Sequence, residues 1–196
     1  MSKLLIAIDP GSSGGICIHH PKHSAEAHKM PETPKDACDI LTIAKETAEM
    51  NGLEIKAYME EVGGFIKGNP APGSAMFTFG RGFGQLEGFL IAIGIPFELV
   101  RPQKWQKALG IAAAQTVCGQ YEGLSDEERK AEKKRIARLN AAAKSDKKNR
   151  MKEMAQRLYP SVKVTLNTAD ALLILEWAKR QGKTVVETEQ VENLVR

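Results

Sequence analysis

The chain has 196 residues, of which 42% are hydrophobic and 27% are charged, and its formal net charge is +4. This length and composition predict one globular domain with an ordinary core, and the longest apolar run, residues 4–8, is far too short to span a membrane. Three scattered cysteines form neither a zinc motif nor a disulfide framework, so we expect small buried thiols and a cytoplasmic location in a bacterial or phage-infected cell.

Strand-like segments dominate the first hundred residues. Short runs with strand-like composition, bounded by turn residues, are predicted as strands at residues 3–8, 14–19, 25–30, 55–62 and 96–100. A helical pattern begins at Pro34 and ends at Asn51 and Gly52. The four histidines close to the second and third strands lack zinc spacing, and we expect them to be exposed.

Helices dominate the rest of the chain. The segments with helical spacing are residues 74–93, 103–109, 146–159 and 168–180. The first of these carries several glycines that weaken a helix, so we expect it to pack closely against another surface. Residues 63–73, which are rich in Gly and Pro, are predicted to form a loop.

An insertion interrupts the helical half at about residues 111–145. Within it, Ser125 followed by Glu128 is a capping-box pattern that begins a strongly charged helix. We therefore predict a single α/β domain at residues 1–183, in which helices pack on a mixed sheet, with a polar tail at 184–196.

Basic residues crowd between Arg129 and Arg157, whereas the first hundred residues are nearly balanced in charge. A basic segment on a neutral body favours a polyanionic partner, most commonly a nucleic acid. The alternative is a solvated helix laced with ion pairs, and charge alone does not separate the two.

Three carboxylates fall at the boundaries of predicted elements. Asp9 ends the first strand, Glu60 lies in the fourth strand, and Asp170 lies in the first turn of the last helix. A carboxylate at the end of an apolar strand is costly to bury unless it is paired or binds a metal. If the first and fourth strands are neighbours, the three acids share a site for Mg²⁺ or Mn²⁺, which prefer oxygen ligands. A pair of such ions is a common device for phosphodiester cleavage.

Each acid also has a purely structural explanation. Asp9, which precedes a Pro-Gly pair, can be an ordinary turn former. Glu60 and Glu61 point to opposite faces of a strand, so at least one of them must be solvated. Asp170 can be the acid of a capping box with Asn167 as the N-cap. The joint placement of the three acids, more than any one of them, favours a metal site.

Four motifs resemble, in order, those of the RuvC-type Holliday-junction resolvases. They are Ile6-Ala7-Ile8-Asp9-Pro10-Gly11, Tyr58-Met59-Glu60-Glu61-Val62, Gly84-Gln85-Leu86-Glu87-Gly88 and Ala169-Asp170-Ala171-Leu172. The resemblance covers the chain from residue 3 to about residue 179, except for the insertion. It implies an RNase H-like fold, with a mixed five-stranded sheet and helices on both faces.

The resemblance also implies a homodimer that cuts four-way DNA junctions by paired nicks, with two Mg²⁺ or Mn²⁺ ions per active site. The residues that it assigns to catalysis are Asp9, Glu60, Asp170 and Lys148, of which the three acids bind metal. Those that it assigns to the dimer interface are Gly84, Gln85 and Gly88. The chain departs from the family at Asn167, where better-known bacterial members carry another aspartate, and an asparagine oxygen is a weaker, uncharged ligand.

Several residues are predicted to contact DNA. Phe65, in the loop after Glu60, is the preferred aromatic residue to wedge into or stack on an unpaired base. The cations predicted to contact phosphates are Lys67, Arg81, Arg101, Lys104, Lys107, Lys147 and Arg150. Three other aromatic residues are interpreted as core residues: Phe77, Phe79 and Trp105.

Two alternatives stay open beside the junction resolvase. The same chemistry would serve a related nuclease that cuts flaps, replication forks or RNA–DNA hybrids. Asn167 also permits a non-catalytic protein that binds junctions without cutting them. The residues alone do not separate these three activities.

Overall fold

A single sheet organises the part of the chain that the structure describes. A computed structural model covers residues 2–62 and 73–194, with side chains as far as residue 181. The strands are β1 (Lys3–Asp9), β2 (Gly15–His19), β3 (Glu26–Lys29), β4 (Glu54–Glu60) and β5 (Phe97–Val100). Their order across the sheet is β3-β2-β1-β4-β5, with β1 antiparallel to β2 and parallel to β4. The predicted mixed five-stranded sheet is confirmed.

Helices cover both faces of this sheet. In chain order they are α1 (Pro34–Met50), α2 (Gly73–Ile93), α3 (Pro102–Ala108), α4 (Asp126–Leu158) and α5 (Ala169–Leu194). Leu4, Ile6 and Ile8 of β1 pack with α1 and α2. Ala7 faces the other way, into a core that α3, α4 and α5 complete. This arrangement confirms the predicted α/β class, and none of the described helices is long and apolar enough to cross a membrane.

Two helices run further than the sequence predicts. α4 is continuous, so the predicted break near residue 145 is wrong. The physical reason is that this helix holds neither glycine nor proline, and that three consecutive alanines, 141–143, carry it across the expected boundary. α5 continues as far as Leu194, and the predicted tail at 184–196 is helical to that residue.

The glycines of α2 are not packed against the described part of this chain. The helix packs on the sheet through Leu86 and Leu90. Apart from the neighbouring backbone of the helix itself, no described atom lies within 4 Å of a Cβ added at Gly80, Gly82, Gly84 or Gly88. The surface expected to pack closely on these glycines therefore stays a prediction. The predicted loop that precedes α2 lies outside the described residues, apart from Gly73.

The burial of the aromatic residues is only partly as predicted. Trp105 is fully buried, which confirms its place in the core. Phe77 is 70% exposed, so its assignment to the core is wrong. Phe79 is partly buried, and its ring lies over the turn at Gly11. Phe77 lies within about 60° of Gly80, Gly84 and Gly88 around α2, so the described residues leave this side of the helix uncovered.

Two further expectations, about the burial of histidines and cysteines, also fail. Of the four histidines expected to be exposed, only His23 is, and His19 and His28 are partly buried. His20 is buried, because its ring packs on His23 and its Nδ1 accepts a 3.2 Å hydrogen bond from the backbone N–H of Lys22. The expectation of buried thiols fails at Cys38, which is partly exposed, and at Cys118, which is exposed.

Candidate active site

Asp9 and Glu60 lie at the same edge of the sheet. Each is the last residue of its strand, and β1 and β4 are parallel neighbours. Because side chains alternate along a strand, Asp9 shares the face of Ala7 and Glu60 shares the face of Tyr58. Both Ala7 and Tyr58 belong to the core beneath α5. The sheet therefore brings the two acids together on the face that α5 covers.

The start of α5 places Asp170 over this edge. The Oγ1 of Thr168 accepts a 3.0 Å hydrogen bond from the backbone N–H of Thr165, and the Oγ1 of Thr165 accepts one of 3.3 Å from that of Thr168. α5 begins at Ala169, so the predicted capping box with Asn167 as the N-cap is wrong. Instead, the two threonines hydrogen-bond each other's backbone N–H groups just before the helix, and no described hydrogen bond involves the Asp170 carboxylate.

Two glycines let the chain close tightly around the site. A Cβ on Gly14 would lie 2.0 Å from the backbone oxygen of Asp9. A Cβ on Gly15 would lie 2.6 Å from the backbone oxygen of His28 and 3.0 Å from that of Asn167. Backbone atoms held in a sheet and a helix start cannot yield as a flexible side chain can, so only glycine fits. These glycines therefore set how closely the start of α5 approaches the strand that carries Asp9.

Burial and neighbouring negative charge oppose the ionisation of the acids at this edge. Burial, together with the negative charges of Asp170 and Glu60, raises the pKa of Asp9 to about 8. Burial, together with the charge of Asp170, raises the pKa of Glu60 to about 7, against a hydrogen bond that lowers it. Burial also raises the pKa of Asp170 above its ordinary value. The three acids therefore lie within electrostatic reach of one another in a buried cluster, here called the acid pocket, where a bound cation would relieve the repulsion.

Two consecutive lysines of α4 bring positive charge to the pocket. The ammonium of Lys148 lowers the pKa of Asp9 and Asp170, against the larger effect of burial. The ammonium of Lys147 acts in the same direction on Glu60, after burial and a hydrogen bond. The residue that the resemblance assigns to catalysis, Lys148, therefore lies within electrostatic reach of two of the acids.

Trp105 of α3 holds Glu60 in place. Its Nε1–H donates a 2.9 Å hydrogen bond to the Oε2 of Glu60. The next residue, Gln106, accepts a 2.7 Å hydrogen bond from the Nζ of Lys147, so α3 links the acid pocket to α4. Sequence reasoning finds the burial of Trp105 but misses this contact. The available signal is only the general rule that a buried indole N–H needs an acceptor.

Glu61, the neighbour of Glu60, is engaged on another surface. Its Oε2 accepts a 3.0 Å hydrogen bond from the Nε of Arg101. Of the two glutamates, Glu60 is the one that the structure places beside the other acids. Arg101 is thereby tied to Glu61, although it is among the cations predicted to contact phosphate.

The other cations predicted to contact phosphate do not form one surface. Lys104 pairs with Glu98 at 3.3 Å, whereas Lys107 is exposed. Arg81 lines a groove of about 600 Å³ between the β1–β2 turn, the start of α1 and α2. Arg150 lies about 160° around α4 from Lys148, on the far side of the helix. Phe65 and Lys67, the predicted wedge and its neighbour, lie outside the described residues.

The predicted interface residues of α2 also separate. Gly84 and Gly88 lie on the side of the helix where an added Cβ meets no described atom. Gln85 is about 100° around the helix from Gly84 and lines the groove beside Arg81.

The donors of the pocket suit a hard divalent cation. Asp9, Glu60 and Asp170 offer carboxylate oxygens, and the partly buried Asn167 beside them in sequence offers an amide oxygen. Mg²⁺ and Mn²⁺ prefer such ligands. Across the described residues, however, no three His, Cys, Asp or Glu side chains are already arranged to hold a metal ion. The chemistry of the donors fits the predicted ions, whereas their present spacing is not that of a loaded site.

Comparison with known proteins gives a likeness at the level of structure. No family model and no curated protein matches the chain. A structure of T. thermophilus RuvC in complex with Holliday junction substrate is 14% identical, with a TM-score of 0.46, covering 92% of this chain and 96% of that one. A second Thermus thermophilus RuvC structure is 15% identical, with a TM-score of 0.43, covering 91% and 96%. Both neighbours are RuvC structures. Their TM-scores and sequence identities are too low to indicate an activity for this chain.

Proposed function

We propose that this protein is a metal-dependent endonuclease that cuts branched DNA and resolves four-way junctions by paired nicks. The observation that carries the proposal is the shared pocket of Asp9, Glu60 and Asp170, with Lys147 and Lys148 beside it. Ionised carboxylates crowded in one place are stabilised by a bound cation, and neighbouring ammonium groups attract a phosphate. The basic helix α4 adjoins the pocket, which suits a polyanionic substrate.

Each group has a distinct task in this proposal. Asp9, Glu60 and Asp170 would hold Mg²⁺ or Mn²⁺, with two ions per active site and Asn167 as a weak additional ligand. When bound, such ions activate a water and stabilise the leaving oxygen of a phosphodiester. Trp105 fixes one oxygen of Glu60 so that the other keeps its direction. Lys148 would lie against the phosphate under attack and offset the negative charge that develops there.

The test is a nicking assay on a synthetic four-way junction with each strand labelled in turn. With Mg²⁺ we expect symmetric nicks on two strands of like polarity. Glu60→Gln removes a charge and keeps the shape, and we expect at least a ~100-fold slower rate, since several kcal/mol of metal-dependent stabilisation are lost. Glu54→Gln, at the exposed far end of the same strand, is the matched control and should keep the wild-type rate. The proposal fails if the wild type does not nick, or if both variants nick equally.

The same assay separates the other activities. Flap, fork, linear duplex and RNA–DNA hybrid substrates are compared under identical conditions, and faster cutting of any of them than of the junction would reassign the substrate. A protein that shifts a junction in a gel without cutting it would be a junction-binding protein. In that case, cutting gained by Asn167→Asp would identify an inactivated nuclease.

We also propose that the active form is a homodimer built on α2. A stripe of residues that lie within about 40° of Gly84 runs along this helix: Phe77, Gly80, Gly84, Gly88 and Ile91. Phe77 is 70% and Ile91 69% exposed, and the small residues between them would let a second helix approach closely. A two-fold symmetric dimer suits a four-way junction, because the junction presents two equivalent strands.

A further inference from the structure

The N-terminal half of α4, which falls within the predicted insertion, packs against neither main core. In the C-terminal half of α4, Met151 and Ala155 are buried in the core under α5. In the N-terminal half only Ile136 is buried, and it packs near Tyr121 and Gly119 of the preceding segment rather than in either main core. Half of a 33-residue helix therefore continues past the acid pocket with little core to support.

One face of α4 carries a line of lysines. With 3.6 residues per turn, Lys130, Lys134 and Lys144 all lie within about 40° of Lys148, which borders the acid pocket. We call Lys130, Lys134, Lys144 and Lys148 the lysine track. Beyond the first turn, the acidic residues lie about 140–160° away, on the opposite side: Glu132, Asp146 and Glu153.

The three outer lysines of the track are not paired with any acid that the structure describes. All three are exposed, and no ion pair or ring contact joins Lys130, Lys134 or Lys144 to a residue that the structure describes. By contrast, Arg129 pairs with Asp126 and Arg135 pairs with Glu132. Lys134 and Lys144 have no acid one turn away, and Lys130 forms no ion pair with Asp126 or Glu127, which are one turn away. This pattern is not that of a solvated helix laced with ion pairs.

The rest of the insertion leaves the lysine track open. Asn140 fastens the preceding segment to α4: its Oδ1 accepts a 2.8 Å hydrogen bond from the backbone N–H of Val117, and its Nδ2 donates one of 3.1 Å to the Val117 oxygen. Asn140 and Ile136 lie about 80° and 120° around the helix from Lys148. The segment therefore covers a neighbouring side of α4 and not the track itself.

The length of the track matches a stretch of duplex. Lys130 and Lys148 are 18 residues apart, which is roughly 27 Å along the helix axis. Phosphates on one strand of B-DNA advance by about 3.4 Å each, so the track spans about eight base pairs. Its inner end, Lys148, is also at the proposed active site, so one continuous line of ammonium groups leads outward from the site of cutting.

We propose that the lysine track binds the sugar–phosphate backbone of one duplex arm of the substrate. This inference rests on the proposed nuclease function for the identity of the DNA, and it assigns the insertion a role in holding the arm. Such contacts position DNA and do not read its sequence. They also make binding strongly dependent on salt, because each neutralised phosphate releases counterions.

The test measures binding in EDTA, where metal-dependent cutting is absent. Lys130→Gln/Lys134→Gln/Lys144→Gln removes the three outer charges. Its control loses the same number of charges from other sides of α4: Arg129→Gln/Arg135→Gln/Arg157→Gln. The affinity for a labelled four-way junction is followed by fluorescence anisotropy over a range of salt. We expect the slope of log affinity against log salt to become shallower by about 2.7 in the lysine variant, at about 0.9 per phosphate, and to change little in the control.

Arm length provides the second part of the test. On junctions with arms of about five base pairs closed by hairpin loops, only Lys144 is within reach, and the difference in slope should fall to about 0.9. Equal slopes for the two triple variants, or a loss that does not depend on arm length, would overturn the proposal. Circular dichroism checks that both variants are folded, and the single variant Lys134→Gln, with an expected slope change of about 0.9, replaces an unfolded triple variant.

The outcome is independent of the nicking assay. A wild-type protein that fails to nick junctions but shows the expected slopes would refute the nuclease and keep the track. Normal nicking with unchanged slopes would refute the track and keep the nuclease.

Discussion

Among single side chains, Trp105 matters because it donates a hydrogen bond directly to Glu60, one of the three acids of the pocket. Trp105→Phe keeps a ring in the buried site and removes the N–H that reaches Glu60. A lost hydrogen bond to a charged group costs about 1.5–3 kcal/mol, and losing the partner that orients a metal ligand commonly weakens metal binding by about 10–100-fold. We expect the Mn²⁺ concentration for half-maximal junction nicking to rise about tenfold, while the rate at saturating Mn²⁺ recovers.

A second buried tryptophan serves as the control for that measurement. Trp177 packs edge-on against Tyr58, with ring centroids 5.6 Å apart, and no described hydrogen bond joins it to the acids. Trp177→Phe should lower the melting temperature and leave the Mn²⁺ dependence unchanged. Equal shifts in both variants would mean that the effect of Trp105 is only structural.

The sequence predicts the acids of the pocket better than the groups around them. Asp9 and Glu60 stand out because a carboxylate at the end of an apolar strand is costly to bury. Asp170 is ordinary in a first helical turn and stands out only through its joint placement with the other two. The hydrogen bond from Trp105 to Glu60 cannot be predicted from the sequence, because the two residues are 45 positions apart in the chain and only the fold brings them together. Which residue caps α5 is likewise decided by tertiary packing, since Thr165, Asn167 and Thr168 all have side chains able to cap.

Among the elements, β2, β3 and the start of α5 are in close contact, and Gly15 makes this contact possible. Gly15→Ala would force a Cβ against the backbone oxygens of His28 and Asn167. Overpacking of this kind costs about 1–3 kcal/mol, so we expect the free energy of unfolding in urea to fall by that amount. Nicking should fall as well, because the helix that carries Asp170 is displaced.

A glycine in an open position gives the opposite expectation. Gly82→Ala, outside the proposed dimer stripe, places a Cβ where no atom lies within 4 Å apart from the neighbouring backbone of its own helix, and alanine favours a helix over glycine by up to ~1 kcal/mol. The free energy of unfolding should therefore stay the same or rise. A loss of stability at Gly82 as large as that at Gly15 would contradict the difference in packing between the two positions.

Element boundaries follow the sequence where the signal is local. The capping box at Ser125 and Glu128 forms as predicted, because all its atoms belong to four consecutive residues. The helix boundary predicted near residue 145 fails, because a change in sequence character does not end a helix that contains neither glycine nor proline. That continuity matters for function, since it places Lys148 and the outer lysines on one rigid element.

At the scale of the whole molecule, the side of α2 that carries Phe77, Gly84 and Ile91 is not covered by any described part of the chain. The sequence predicts that the glycines pack against something, and the structure shows that this something is not within the described chain. The proposed dimer would supply it, and two active sites related by symmetry could then cut both strands of a junction before it dissociates. A monomer with an intact pocket would nick one strand at a time.

Gly84→Arg tests this coupling. The long charged side chain would stand in the middle of the stripe and separate the two helices, so we expect the sedimentation coefficient to fall from that of a dimer to that of a monomer. A supercoiled plasmid with an extruded cruciform reports the consequence: paired cutting gives linear DNA, whereas single nicks give relaxed circles. The variant should therefore give mainly relaxed circles. Met50→Arg, at a 79% exposed position on α1, is the control and should keep both the dimer and the linear product. A wild-type protein that sediments as a monomer and still gives linear product would contradict the need for two subunits.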